Sequence, residues 1–175
     1  MNQYGVNLDK AYRKIFWLGI IMNIVCPIVY VIIAFSMKYS EEPPPKNNVE
    51  HLDIILYALI AVSICIVIAS LVLRQKRFFS PMIKSKETFE KDFSRESFNS
   101  AIIVNSMIVA IAIYGLIFFF LSGQIEYLFY FAIPSVMLYI LIRPNYSLLE
   151  MSLAAQEKFV SEGKFFKKSF GLFPF

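Results

Sequence analysis

The stretch "NSMIVAIAIYGLIFFFLSGQIEYLFYFAIPSVMLYILIRP", residues 105–144, contains one charged side chain, Glu126, before Arg143. Apolar residues fall on every face of any helix drawn through it, the pattern of a segment in hydrocarbon or deep in a protein core. A bilayer core of about 30 Å is crossed by about 20 such residues. The stretch holds nearly two of these lengths, parted at "SGQIE", residues 122–126, where Gly123 and Glu126 interrupt the run. It reads as two membrane spans joined by a tight turn.

The rest of the chain agrees. Its 175 residues are 58% hydrophobic and 17% charged, with a mean hydropathy of +0.60, against about 45–50% apolar in soluble domains. Four spans are expected, at 15–37, 52–73, 101–122 and 127–142. The fold class is all-α, a polytopic membrane protein of two helical hairpins with short cytoplasmic amphipathic helices. Residues 1–145 form the transmembrane domain, interrupted by a loop at 74–100, and residues 146–175 form a C-terminal helix and a basic-aromatic tail. The first apolar run exceeds the h-region of a signal peptide, and no small-residue cleavage pattern follows it. It is expected to be retained as a span.

Orientation follows from Lys and Arg, which accumulate on the cytoplasmic side of span ends. Lys10, Arg13 and Lys14 precede the first span, and seven basic residues from Arg74 to Arg95 lie between the second and third. Arg143, Lys158, Lys164, Lys167 and Lys168 follow the fourth, whereas only Lys38 and Lys46 flank or occupy the first outer loop. Fifteen against two places both termini and the 74–100 loop in the cytoplasm. The formal net charge of +4 is explained by this topology and is no reason to expect nucleic acid as a partner. In the outer loop "EEPPPKNN", three prolines restrict the backbone and remove amide donors, so a stiff, solvated cap is expected.

Within the cytoplasmic loop, Ser80 and Pro81 read as an N-cap and N1 pair opening a short helix. Met82, Lys86, Phe89 and Phe93 then share a face. That face has two readings: a membrane-surface helix, or packing against the cytoplasmic ends of the spans. In the tail, "KFFKKSFGLFPF" combines Phe165, Phe166 and Phe170 with Lys167 and Lys168. Aromatic insertion plus attraction to anionic lipid makes it a lipid anchor, or alternatively a docking strip for a partner.

Ionisable groups inside a span are expensive and mark proton relays and charged-substrate paths. Here Asp53 opens the second span, Glu126 precedes the fourth and Arg143 closes it, and the span interiors carry none. Polar residues inside the spans include Asn23, Asn105, Tyr114 and Ser135. Asn23 and Asn105 sit at comparable depth and are expected to bond across helices. Gly115 and Ala112 are small enough to permit close helix approach. Pro27 and Pro134 are expected kinks. Cys26 and Cys65 lack the C-x-x-C spacing of redox sites, and His51 beside Glu50 and Asp53 is one nitrogen short of a persuasive metal set. No phosphate loop or other cofactor or catalytic motif occurs, so neither an enzyme nor a cofactor is expected.

"AIAIYGLIFFFLSG", residues 110–123, resembles the ion-binding helix of the rotary-ATPase proteolipid, subunit c. It is more closely similar to a group of bacterial four-span membrane proteins reading roughly E-x-x-A-I-Y-G-L, F-x-L-x-G and P-x-x-x-x-x-E. The matching residues are Ala112, Ile113, Tyr114, Gly115, Leu116, Phe119, Leu121, Gly123, Pro144 and Glu150. The resemblance covers about a quarter of the chain and implies a bacterial cytoplasmic-membrane protein. It departs at the position five before Tyr114, where the proteolipid carries its proton-binding carboxylate and this chain has Val109. Three functions are therefore expected in order. The first is a non-catalytic accessory or assembly subunit in the bilayer beside a membrane-protein partner. The second is a homo-oligomeric channel or carrier for neutral or lipophilic molecules, and the third is a ring former lacking the carboxylate.

Overall fold

The computed structural model describes residues 4–40 and 51–166. Its described residues form helices, turns and loops with no strand, and four helices are long and apolar enough to cross a membrane. The protein is thus a multi-pass helical membrane protein. The proline-rich part of the outer loop and Lys167, Lys168 and Phe170 lie outside the described residues.

The first rod runs from Leu8 to Lys38: α1 (Leu8–Ile20), a π-turn (Ile21–Val25) and α2 (Cys26–Lys38). Asn7 caps it, its Oδ1 accepting the Lys10 amide at 2.9 Å. The wide turn lies directly ahead of Pro27, which has no N–H to return to the preceding turn and whose ring crowds it. Cys26 N–H bonds instead to the carbonyl of Ile21, five residues back. The expected Pro27 kink is accommodated in this way.

α3 (Leu52–Phe79) continues six residues past the expected span. The larger departure concerns the 74–100 loop. Ser80 and Pro81 do not start a helix. The chain is irregular from Ser80 to Thr88, and α4 (Phe89–Ser122) then runs unbroken for 34 residues into the membrane. At about 1.5 Å per residue it is about 50 Å long. Tertiary bonds decide this. Gln156 donates from Nε2 to the Ser80 carbonyl (2.9 Å) and accepts at Oε1 from the Met82 amide (3.0 Å), holding the strand-like start of the loop. Asp92 accepts the Lys84 amide (3.1 Å) and the Thr88 hydroxyl (2.7 Å), tying the loop's end to the first turns of α4.

Gly123, at φ 69°, ends α4 by returning its amide to the Phe119 carbonyl (2.8 Å), a left-handed closure that glycine makes without strain. α5 (Ile125–Ile142) returns through the membrane, and α6 (Tyr146–Ser161) packs on α1 and α3. Asn145 caps α6 by accepting the Leu148 amide at 2.8 Å.

α4 is the centre of the bundle, packing on α1, the π-turn, α2, α3 and α5. In sequence the spans form two hairpins, the first with the second and the third with the fourth; in space α4 packs along both of its chain neighbours, α5 and α3. α3 packs on α4 and α6, away from the first rod. Its half-buried positions, including Leu59, Ser63, Ile66 and Leu73, trace one stripe with the fully buried Ser70, while Ile54, Tyr57, Ile64, Ile68 and Val72 are exposed. An apolar helix with one packed stripe presents the remainder to hydrocarbon. Cys65 lies on that exposed side, so it does not pair with Cys26; both are free.

Beyond the spans, Val6, Met82, Ile83, Phe89, Phe93, Leu153 and Val160 close into one apolar cluster. The N-terminal segment, the 80–88 loop, the start of α4 and α6 therefore share one end of the bundle. Tyr4 stacks on Phe89 with centroids 4.1 Å apart, and Ser152 Oγ donates to the Phe78 carbonyl at 2.7 Å. The phenol of Tyr146 is held above its ordinary range by desolvation, then by the carboxylates of Asp9 and Glu150.

Candidate functional site

Three of the polar residues inside the spans, Asn23, Asn105 and Ser135, converge where the π-turn meets α4 and α5. The turn directs Asn23 inward, where it is fully buried. Its Nδ2 donates two hydrogen bonds, one to the Gly19 carbonyl (3.2 Å) and one to Oδ1 of Asn105 (2.9 Å), also fully buried. One amide thus serves two acceptors on different helices. Among the described residues, Asn23 Oδ1 and Asn105 Nδ2 have no hydrogen-bond partner. Exchanging O and N at both amides would pair these two atoms but remove the donor from Gly19.

One turn further into the membrane, Ser135 Oγ donates to the Ile108 carbonyl at 2.9 Å, joining α5 to α4. Asn105, Ile108, Ala112 and Gly115 lie at helical spacing, so a single face of α4 carries both the polar contacts and the close packing. A Cβ added at Gly115 would lie 2.9 Å from Phe131 Cβ and 3.0 Å from the Leu128 carbonyl oxygen. Ala112 is fully buried on the same face. Tyr114, by contrast, is half-buried, stays outside this cluster, and makes no hydrogen bond among the described residues.

Two participants escaped the sequence reading, Gly19 and Tyr139. A Cβ at Gly19 would stand 2.6 Å from the Tyr139 hydroxyl, so the glycine gives the buried tyrosine ring its place. The available signal was spacing, since Gly19 precedes Asn23 by four residues and Tyr139 follows Ser135 by four.

The remaining candidates are distributed differently. Phe89 and Phe93 are not a membrane-surface stripe: both are buried inside the apolar cap at one end of the bundle, because α4 begins at Phe89 and turns this face toward α6 and the N-terminal segment. Phe165 is half-buried against the same cluster, and Phe166 is exposed while its amide bonds to the Ile83 carbonyl at 2.8 Å. Among the described residues, no three His, Cys, Asp or Glu side chains gather as a metal set.

Against known protein families, curated proteins and solved structures, the chain finds no match. The likeness to the proteolipid helix accordingly rests on the quoted residues alone.

The site's chemistry is that of hydrogen bonding between neutral groups in a low-dielectric interior, which holds helices in register. A double-mutant cycle on Asn23→Ala and Asn105→Ala, read by reversible unfolding in mixed micelles, is expected to return a coupling of about 0.6–1.7 kcal/mol. Strictly additive losses would show that the two amides do not act as a pair.

Proposed function

We propose that the protein is a non-catalytic integral membrane subunit that packs beside a partner membrane protein in a larger assembly. The observation that supports this most directly is the use made of its intramembrane polar groups. Asn23, Asn105 and Ser135 are fully buried and engaged within one chain, where they join the first rod and α5 to α4. The same burial weighs against a homo-oligomeric channel with these residues turned to a shared lumen. α3, which rests on α4 by one stripe, offers the broadest free face in the plane of the membrane. A bacterial cytoplasmic membrane, with both termini inside, is the proposed setting; the basic excess at the capped end supports that orientation.

The test is gentle extraction of the tagged protein from its own membrane, followed by native-gel sizing and mass spectrometry. A heteromeric band of fixed composition is expected, and substitution of large residues on the exposed face of α3 should dissolve it. Recovery of the chain alone or as a closed homo-oligomer would overturn the accessory reading, and liposome flux would then become the informative assay.

A further inference from the structure

An open groove of about 780 Å³ separates α1 from the first turns of α4. Its walls change chemistry along their length. On the first rod, Lys10 and Lys14 give way to Trp17, Leu18 and Ile21; on α4, Lys91 and Arg95 give way to Phe98. Both helices enter the membrane from the capped end, so their charged turns lie side by side and their apolar turns do too. Lys14 is the last charge of its helix before Lys38, and Glu96 is the last of α4. The groove therefore straddles the level at which charge ends on both walls, the level of the lipid headgroups.

The balance of charge in the groove is positive, with four cations against the single carboxylate of Glu90. Arg95 is already engaged, its guanidinium 3.2 Å from Asp92 and 3.1 Å from Glu96. Lys10, Lys14 and Lys91 make no ion pair among the described residues. Below them the walls open outward, with Trp17 60% and Ile21 54% exposed. Seven residues separate Lys14 from Ile21, about 10 Å of depth, which matches a headgroup followed by the first part of an acyl chain.

We propose that this groove is a binding site for a glycerophospholipid with an anionic headgroup. The three lysines hold the phosphate and headgroup charge, and Trp17, Leu18, Ile21 and Phe98 take the upper acyl chain. A free phosphate would use the lysines and leave the apolar half without a role. The proposal does not depend on the accessory reading above.

Trp17 is the sole tryptophan in the chain and lies in the groove, so its emission reports on the occupant. The full-length protein, in phosphatidylcholine nanodiscs, is titrated with acyl-brominated phosphatidylglycerol or acyl-brominated phosphatidylcholine, which quench tryptophan on contact. Quenching by the anionic lipid is expected to half-saturate at a mole fraction at least about tenfold lower, and each lysine replaced by Gln should reduce that preference about fivefold. Lys10→Gln, Lys14→Gln and Lys91→Gln together should abolish it. Lys84→Gln, Lys86→Gln and Lys158→Gln, equal in charge and outside the groove, should leave it intact. Glu90→Gln, which adds no bulk, should strengthen it, a gain that misfolding does not produce. Equal quenching by the two lipids overturns the proposal. So does equal loss in both lysine triples, which assigns the effect to general surface charge, and so does displacement by millimolar inorganic phosphate, which makes the ligand a free anion.

Discussion

Replacing Phe93 by alanine is expected to destabilise the capped end of the bundle by about 3–5 kcal/mol. Phe93 is fully buried in the cluster where the N-terminal segment, the 80–88 loop and α6 meet, and it stacks in series with Phe89 at 6.5 Å. This end projects beyond the spans, so the full hydrophobic transfer term applies, together with that of the cavity left behind. The loss should be local. Limited proteolysis is expected to cut between Ser80 and Thr88 in the variant at concentrations that spare the parent protein, while far-ultraviolet circular dichroism retains the helical signal of the spans. Phe93→Leu should recover most of the stability. Unchanged proteolysis in Phe93→Ala would show that the cap is held by its hydrogen bonds, chiefly those of Gln156 and Asp92, and not by its apolar cluster.

The second large effect is expected at Gly115. Within the bilayer, apolar burial contributes little to helix association, because lipid tails are as apolar as the partner helix, and close packing takes its place. At Gly115 the nearest obstacles to a side chain include the carbonyl oxygen and Cα of Leu128, at 3.0 and 3.2 Å. No rotamer change moves a backbone, so Gly115→Ala must part α4 from α5 and should cost about 1–3 kcal/mol. Gly115→Leu should cost more and break the Ser135 to Ile108 bond as the helices separate. Gly19→Ala makes a useful comparison, since its obstacle is the Tyr139 ring. It is expected to be the milder change and to be relieved by Tyr139→Leu, whereas no single truncation relieves Gly115→Leu. Equilibrium unfolding in micelles gives the ranking, and a Gly115→Leu protein as stable as the parent would refute the close-contact reading of this helix pair.

The candidate site shows how far residue types carry and where geometry takes over. Asn23 and Asn105 were identifiable because an amide in an apolar run needs a partner, and similar depth made each the natural partner of the other. Ser135 stood out for the same reason, although its acceptor is a backbone carbonyl, which every residue possesses and no sequence distinguishes. Tyr114 and Tyr139 look equivalent as letters. Tyr139 is buried against Gly19 and Tyr114 lies half-buried outside the polar cluster because of rotation about the axes of two different helices.

The same division runs through the fold. Composition and length alone mark four segments as able to cross a membrane, since a run of about 20 uncharged residues has few stable alternatives, and the clustering of lysine and arginine groups the segments expected on one side. Only the tertiary structure decides that α4 is the central helix, that α3 stands apart from the first rod, and that residues 89–100 extend a span instead of forming a separate surface helix. The Ser80 and Pro81 start signal is a local preference of about 1 kcal/mol. It yields to Gln156, which lies 76 residues away in the chain and holds the Ser80 carbonyl at 2.9 Å. Local sequence carries the cost of placing a residue in water or in lipid; which helix it then meets depends on contacts between distant parts of the chain.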